Sequence, residues 1–554
     1  MIPKKDEVLF AALGGAGEIG MNFYSYGHDG AWLAVDCGVS FGDPNMPGID
    51  VFTADPSFLE EEETNLVGLV ITHAHEDHIG GVAHLWPFLR CPVYLTPFAA
   101  EILKGKLRET DFADEVPIHI IAPGGGRAQV GPFAIEFVQM SHSIPEPQAV
   151  AIKTAVGTVL HTGDWKIDAA PQIGAPIDQA RLKQLGDEGL LALIGDSTNA
   201  MEEGRAASEQ SAKEGLIDVI KRQKGRVAVG CFATNVARVQ SLGAAAKATG
   251  RSLVLAGRSL HRVTAAAKEA GYLSDLPDII PEDQMRDLPP ENVLMIATGS
   301  QGEGRAALAR MAADSHPTCF LEAGDTIIFS SRVIPGNEVE VGRIQNAFAK
   351  RGVQVLTESD VEETVHVTGH PMRGELSDLL TWTRPKFVLP VHGEWRHMEA
   401  HAALARDHQV HDAVVGGNGA LIRINETSAQ IIDRVYSGRL ALDGDRLIDP
   451  QGPLLPQRRR LSRAGTVSIA VALDHKGALA GPVSAEAYGC LDKDVDGDVL
   501  AHVREGVAER LARLDRGKRH ENGPVEKAVV GAAKRVFADQ TGKKPLVLVH
   551  IIRL

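Results

Sequence analysis

Three histidines and one aspartate fall within the six residues His73-Ala74-His75-Glu76-Asp77-His78. This run limits the possible folds more than any other stretch, because of what flanks it. Before it stands the apolar segment Leu66-Val67-Gly68-Leu69-Val70-Ile71, and after it Ile79-Gly80-Gly81. A short apolar run of that length reads as a buried strand, and paired glycines read as a turn with close packing. The polar cluster then occupies a loop at a strand's C-terminal end, where open α/β sheets place their ligands. Imidazole nitrogens and carboxylate oxygens suit zinc. His73 and His75 alternate and project to one side, while Asp77 and His78 reach a neighbouring point, so one loop can serve two metals. The bland alternative is a His-rich surface turn, and the buried strand before it argues against that.

A chain of 554 residues exceeds what one core supports, so about three domains are expected. No apolar stretch is long enough to span a bilayer, and residues 1–7 are charged and lack the apolar centre of a signal peptide. No membrane partner is expected. Cys37, Cys91, Cys231, Cys319 and Cys490 are scattered and odd in number, which points to a reduced, cytoplasmic setting. A formal net charge of -15 argues against a general nucleic-acid coating protein. It leaves room for a nucleic-acid enzyme whose positive potential is confined to a metal-containing cleft.

Residues 8–12 read as a first strand leading to Gly15, Gly17 and Gly20, a Gly-x-Gly-x-x-Gly pattern. A dinucleotide site would need a helix next; residues 22–26 look like another strand, so tight packing beside the metal loop is the better account. The strand 31–36 ends in Asp36, which either orients a metal-binding His from behind or caps a turn. A helix is expected over 79–89 and a strand over 93–96. The strand 133–139 delivers Ser141-His142-Ser143, and His142 at a strand end reads as a ligand. The strand at 158–161 runs into Gly163-Asp164; a carboxylate has two oxygens, so Asp164 is a candidate bridge between two cations.

After the strand 190–195 comes Asp196-Ser197-Thr198-Asn199, and the texture changes. Ser211 with Glu214 reads as a capping box opening a helix to about residue 223. Strands and helices then alternate, the pattern of an inserted α/β domain over 202–364. It carries Arg238, Arg251, Arg258, Arg262 and Arg305, with the turns Thr234-Asn235 and Ser330-Ser331-Arg332. Such groups suit a phosphate backbone; the alternative is a solvated charged face. The stretches 365–370 and 386–394 bring further strand-end histidines, His370 and His392, separated by a helix over 374–384. Parallel strand ends share one edge of a sheet, so both histidines can face the first loop.

These motifs together resemble ribonuclease J, a metallo-β-lactamase-fold nuclease with an inserted β-CASP domain. The resemblance rests on Asp36, the 73–78 run, His142, Asp164, Asp196, His370 and His392. It extends to Pro335-Gly336-Asn337-Glu338, His366-Val367-Thr368-Gly369-His370 and Pro390-Val391-His392-Gly393-Glu394. It implies an αββα sandwich from residues 1–201 and 365–448, the β-CASP insertion at 202–364, a linker at 449–463 and a small α+β domain at 464–554. It implies two Zn2+, with Mn2+ or Mg2+ as substitutes: His73, His75 and His142 on one, Asp77, His78 and His392 on the other, Asp164 between. Asp77, Asp196 and His370 are the implied catalytic groups, His370 protonating the leaving oxygen under the orientation of Asp196. Asn235, Arg238, Ser331 and residues His366, Val367, Thr368, Gly369 and His370 are the implied RNA contacts. Some family members hold a structural calcium, for which Asp50 and Asp443 are candidates. Ala237 departs from the family, where a His is expected in many members.

The resemblance further implies 5′-to-3′ exonuclease action favouring a 5′ monophosphate, endonuclease action, and work in mRNA decay and rRNA maturation. A homodimer or homotetramer assembled through the C-terminal domain and an RNA-degradation complex are the implied partners. The basic run Arg458-Arg459-Arg460 in the linker reads equally as an RNA or partner contact or as a solvated connector. In the tail, strands are expected at 466–473 and 545–552 and helices at 495–514 and 525–541. The alternatives are a DNA-processing β-CASP nuclease and a small-molecule metallo-hydrolase of the same fold, which would not need the insertion or His392. A non-enzymatic scaffold is disfavoured because every ligand position is filled.

Overall fold

The computed structural model describes residues 2–42, 46–61, 64–334, 336–492 and 494–554. Pro335, the first residue of the Pro335-Gly336-Asn337-Glu338 motif, lies outside the described residues. The chain divides into two compact units, residues 1–40 with 52–439 and residues 41–51 with 440–554.

The first unit is built on two sheets. One has the strand order Ala429–Arg434, Ala420–Ile424, Val8–Gly14, Phe23–His28, Ala31–Val35, Leu66–Val70, Val93–Leu95, Ile118–Ile120. The other runs Arg127–Val130, Phe133–Gln139, Gln148–Lys153, Thr158–His161, Leu190–Asp196, Phe387–Val391, Asp412–Ala413. Val8, Phe10, Leu33 and Val35 of the first meet Phe133, Ile135, Val150, Ile194 and Leu389 of the second in one buried core. Each such side chain stabilises the fold by roughly 1.5–3 kcal/mol. Alternate residues point the other way. Val138, Leu160, Leu193 and Val388 therefore pack under Leu182, Leu376, Leu379 and Ala402 of the helices Gln179–Glu188, Arg373–Thr383 and Trp395–Asp407. Outside the first sheet, Trp32 lies edge-on to Phe58 at 4.9 Å. The layers are helix, sheet, sheet, helix, the expected αββα sandwich.

Leu190–Asp196 and Phe387–Val391 are parallel neighbours, with Asp196 opposite Val391. The chain between them forms the expected insertion. Its sheet is wholly parallel, in the order Ile279–Ile280, Ser252–Ala256, Val293–Ala297, Val227–Gly230, Thr326–Phe329, Gln354–Leu356. The central segments read Val-Leu-Met-Ile-Ala and Val-Ala-Val-Gly. Such continuous apolar runs are what a strand covered on both faces requires.

Two elements differ from expectation here. The helix assigned to a Ser211 cap is Glu209–Lys221, and Ser208 is its N-cap, accepting from the Gln210 amide at 3.2 Å. Asp168 sets that start by accepting from the Ser208 hydroxyl at 2.6 Å and the Glu209 amide at 2.8 Å. Residues 365–370 form no strand. The Val365 carbonyl instead accepts from Ser330 Oγ at 2.6 Å and Arg238 Nη1 at 3.0 Å. Asn199 Nδ2 donates to Thr368 Oγ1 at 2.8 Å and to the His370 carbonyl at 3.2 Å. Side chains thus satisfy backbone groups that a neighbouring strand would otherwise pair.

In the second unit, Ser484–Tyr488, Thr466–Leu473 and Leu546–Arg553 form a mixed sheet, antiparallel then parallel. Val467, Ile469 and Val471 pack against Val503, Val507, Val529 and Phe537 of the helices Val499–Ala512 and Asn522–Thr541. The strand Ser484–Tyr488 carries only one aromatic and no β-branched residue, so its sequence signal is weak. Residues 454–463, expected within a linker, belong to the helix Leu454–Ala464, closed by Gly465 at φ 68°. Arg458 of the basic run donates to both carboxylate oxygens of Asp443 at 2.8 Å. That pairing commits Asp443 to an arginine, where a calcium ligand had been a candidate role. Among the described residues no helix is long and apolar enough to cross a membrane.

Candidate metal centre

Strand ends of both sheets deliver the ligand candidates to one point. His75 Nδ1 stands 3.1 Å from His73 Nε2 and 3.0 Å from His142 Nε2. His142 Nδ1 lies 2.6 Å from the Gly369 carbonyl. A carbonyl only accepts, so His142 holds its proton on Nδ1 and aims the Nε2 lone pair inward. Burial together with neighbouring histidines holds His73 and His142 well below the ordinary imidazole pKa, and burial takes His75 to about 4. Neutral, convergent nitrogens are the metal-binding form. A tetrahedral site with bonds near 2.0–2.1 Å sets its nitrogens about 3.3 Å apart, close to these spacings.

A second set lies beside the first. His78 Nε2 is 3.6 Å from Asp77 Oδ2 and 3.2 Å from Asp164 Oδ1. His392 Nε2 is 3.8 Å and 3.4 Å from the same two oxygens. The other oxygen of Asp164, Oδ2, faces the first set, 3.7 Å from His73 Nε2 and 3.9 Å from His142 Nε2. Asp164 thus presents one oxygen to each set. Its Oδ1 is buried with no hydrogen-bond partner among the described residues, as a ligand atom awaiting a cation would be. Burial opposes a charge on His78, yet the carboxylates of Asp164, Asp77 and Asp36 outweigh it and push its pKa up. Divalent cations suit such a concentration of negative charge, and the residues present fit two of them.

The supporting groups are as ordered as the ligands. Asp36 Oδ2 accepts from His78 Nδ1 at 2.7 Å, and Asp36 Oδ1 accepts the Thr72 amide at 2.8 Å. Asp36 therefore orients a candidate ligand, in place of the turn-capping alternative. Asn22 Oδ1 accepts from His392 Nδ1 at 2.8 Å and from Tyr24 Oη at 2.7 Å. Its Nδ2 lies 3.2 Å from Asp77 Oδ2. Asp36 and His392 both hold positive φ, 60° and 48°, a conformation non-glycine residues adopt mainly where surrounding structure enforces it. Gly38 leaves no room for a side chain, since a Cβ there would stand 1.7 Å from the Asp77 carbonyl oxygen. His370 Nδ1 lies 2.8 Å from Asp196 Oδ2. Burial opposes its charge, but Asp196 and Asp164 prevail and raise its pKa to about 9.

Comparison with known proteins agrees with this geometry. Residues 18–168 match the metallo-beta-lactamase superfamily and 224–348 the beta-CASP domain of ribonuclease J. Residues 358–415 match a Zn-dependent metallo-hydrolase RNA specificity domain, and 453–554 the ribonuclease J C-terminal domain. Ribonuclease J of Sinorhizobium meliloti is 41% identical over 554 residues, 99% of this chain and 98% of that protein. The chain belongs to the ribonuclease J family. The family member from Mycolicibacterium smegmatis is 37% identical over 98% of this chain and 97% of its own length. That from Thermus thermophilus is 34% identical over 99% and 96%. A crystal structure of a protein of unknown function from Enterococcus faecalis V583 has the same fold, with TM-score 0.52 at 15% identity, covering 76% of this chain and 100% of that one. The ribonuclease J assignment makes this protein a metal-dependent ribonuclease that binds RNA.

The residues expected to touch RNA in a ribonuclease J chain are not equally placed. Residues 366–370 close over the first set, and Gly369 is so near His142 that a Cβ would lie 2.5 Å from its ring. Ser331 Oγ and His366 Nδ1 are buried without hydrogen-bond partners among the described residues. Burial, aided by Arg238, holds His366 near a pKa of about 3. Asn235 is a helix N-cap, accepting the Arg238 amide at 2.8 Å. Arg238 is fully buried: Nη2 donates to Glu209 at 3.0 Å, and Nη1 donates to Val365 and Ser330. Its guanidinium is therefore a scaffold, not the surface phosphate contact expected. Arg251 likewise donates to the carbonyls of Gly225, Val293 and Gln223. Arg238 stands on the helix Val236–Thr249 and Arg251 just before the strand Ser252–Ala256, and neither position reveals in sequence that its guanidinium is buried.

Ala237, the departure from the family, is buried, and its amide donates to the Ser143 carbonyl at 3.1 Å, directly behind the His142 loop. Sequence reasoning missed Asn22 and His161, whose Nδ1 is 2.8 Å from Tyr26 Oη. Asn22 follows the glycine pattern by two residues, the one signal that marked its neighbourhood.

Proposed function

We propose that this chain removes nucleotides from the 5′ end of single-stranded RNA, favouring a 5′ monophosphate. It also cuts internally where RNA reaches the same centre, and it serves mRNA decay and rRNA maturation in the cytoplasm. The observation that carries the reading is the pair of ligand sets sharing Asp164. His73, His75 and His142 would hold one cation; Asp77, His78 and His392 would hold the other. Zinc suits this nitrogen-rich set, with manganese or magnesium as substitutes, and such ions supply the Lewis acidity that activates water and offsets phosphodiester charge.

The chain's own groups do the rest. Asp196 accepts from His370 Nδ1, which leaves the Nε2 proton for the 3′ oxygen that departs. The Asp196 carboxylate at 2.8 Å favours the protonated imidazole, the form a general acid needs. Ser331 Oγ and His366 Nδ1, without hydrogen-bond partners among the described residues, support with Val367, Thr368 and Gly369 a pocket for the terminal phosphate. Arg238 supports it from beneath by holding Val365 and Ser330. The exposed Tyr488, Leu548 and Ile552 of the C-terminal sheet support self-association through that unit as a dimer or tetramer.

The test uses one RNA labelled at its 3′ end and prepared with a 5′ monophosphate, triphosphate or hydroxyl, with a DNA of the same sequence beside it. Shortening from the 5′ end, strongest with monophosphate and absent in His75→Ala, is the expected result. Internal cuts indifferent to the 5′ group would remove the pocket from the proposal. DNA cut as fast as RNA would overturn the RNA preference.

A further inference from the structure

The Gly15, Gly17, Gly20 pattern is not explained by the metal centre alone. All three residues have positive φ, at 84°, 86° and 89°. The loop pairs with the chain just after His392: Ala16 lies opposite Gly393 and Gly17 opposite Glu394, and the His392 amide donates to the Gly15 carbonyl at 2.6 Å. At one end, the Cβ position of Gly20 is 3.7 Å from Asp77 Cβ; near the other, that of Gly17 is 3.9 Å from the Trp395 ring. Gly417 supports the same ring, its Cβ position 3.2 Å away. The loop therefore touches a metal-ligand candidate at one end and an indole at the other.

That indole is unusual for this chain. Trp32, Trp86 and Trp165 are buried and Trp382 is partly so, while Trp395 is 52% exposed. Ile19 and Ile334 are exposed beside it, and with Glu18, Glu394 and Arg396 they line a cleft of about 620 Å³. The two carboxylates are already compensated. Glu18 accepts from Arg439 and from Asn418, and Glu394 accepts from Arg396 Nε at 2.9 Å. The surface is thus aromatic and aliphatic with its acids paired, sited next to a centre that cuts a polyanion.

We propose that this cleft is a stacking site for a nucleobase of the RNA, with Trp395 as the platform. The proposal rests on the reading of the centre as one that cuts RNA. Gly369 lies against His142 of the first set, and Gly20 lies near Asp77 of the second, its Cβ position 3.7 Å from Asp77 Cβ. With the 5′ end in the 366–370 loop, the strand beyond the scissile bond passes over the glycine loop to Trp395. Every base has a π face, so the site takes any base and holds the strand without reading it. Of the three glycines Gly17 is the exposed one, and it leaves the surface beside Trp395 free of a side chain; a Cβ on Gly15 would instead strike Asn22 and Tyr24 beneath the loop.

The test walks a single abasic nucleotide along 5′-monophosphorylated RNA, away from the scissile bond, with the full-length chain and its variants. In the wild type, one position raises KM about five- to 150-fold. Trp395→Ala raises KM for intact RNA by the same factor and flattens the abasic profile. Trp395→Phe keeps a ring and most of the profile, and carries the comparison if the alanine variant does not fold. A profile unchanged in Trp395→Ala, or flat in a wild type that cuts RNA, overturns the cleft alone. So does a change in oligomeric state in Trp395→Ala with KM intact, which would make the occupant a protein. No RNA cleavage by the wild type overturns the reading of the centre and this proposal with it.

Discussion

Arg238→Met separates the two roles an arginine can have in this insertion. Arg238 and Glu209 pair at 3.0 Å with side chains 0% and 1% exposed. Removing one partner of a buried pair costs roughly 3–5 kcal/mol, because the other charge stays buried. Lys166 Nζ remains 3.6 Å from the other Glu209 oxygen, which places the loss near the lower end, about 3 kcal/mol. The double variant Glu209→Gln/Arg238→Met leaves no charge stranded and should recover most of that loss. Urea unfolding of the full chain measures it, and RNA affinity across a salt series measures the other role. A phosphate contact would lower the slope of log affinity against log salt by about 0.7–1; a buried scaffold leaves the slope alone. Arg238→Met with wild-type stability and a shallower slope would refute the scaffold assignment.

Three further outcomes follow from the site. Asp36→Ala removes the acceptor for His78 Nδ1 and the Thr72 amide and should weaken metal affinity about 10–100-fold, read by chelator competition. Gly369→Ala sets a Cβ 2.5 Å from the His142 ring; the expected result is loss of one bound metal per chain and of RNA cleavage, while a full metal complement would count against the close packing. Asp168→Asn tests pH dependence. Burial opposes its charge, but the Glu209 amide, the Ser208 hydroxyl and Lys166 outweigh it and depress its pKa below 3.8. A depressed carboxylate stabilises the fold above its unfolded pKa and loses that contribution as pH falls through the folded value. The variant should therefore melt lower at pH 7 and show a shallower fall in melting temperature below about pH 4.

Much of the centre was legible because it is written locally. The 73–78 run follows an apolar strand, and His142, Asp164, Asp196 and His392 each follow one, so the apolar runs marked where to look. The alternation of apolar runs and helices announced the insertion, and the resemblance to ribonuclease J ordered these parts into one enzyme. What sequence could not decide depends on partners hundreds of residues away. Asn22 matters because Asp77, His78 and His392 converge on it. Arg238 turned inward because Glu209, Ser330 and Val365 meet there. Residues 365–370 gave up a strand because Asn199, Ser330 and Arg238 satisfy their backbone first. Periodicity reports which face of an element is buried; only the tertiary fold decides which polar groups share that burial, and a buried charge takes its role from the partner it finds.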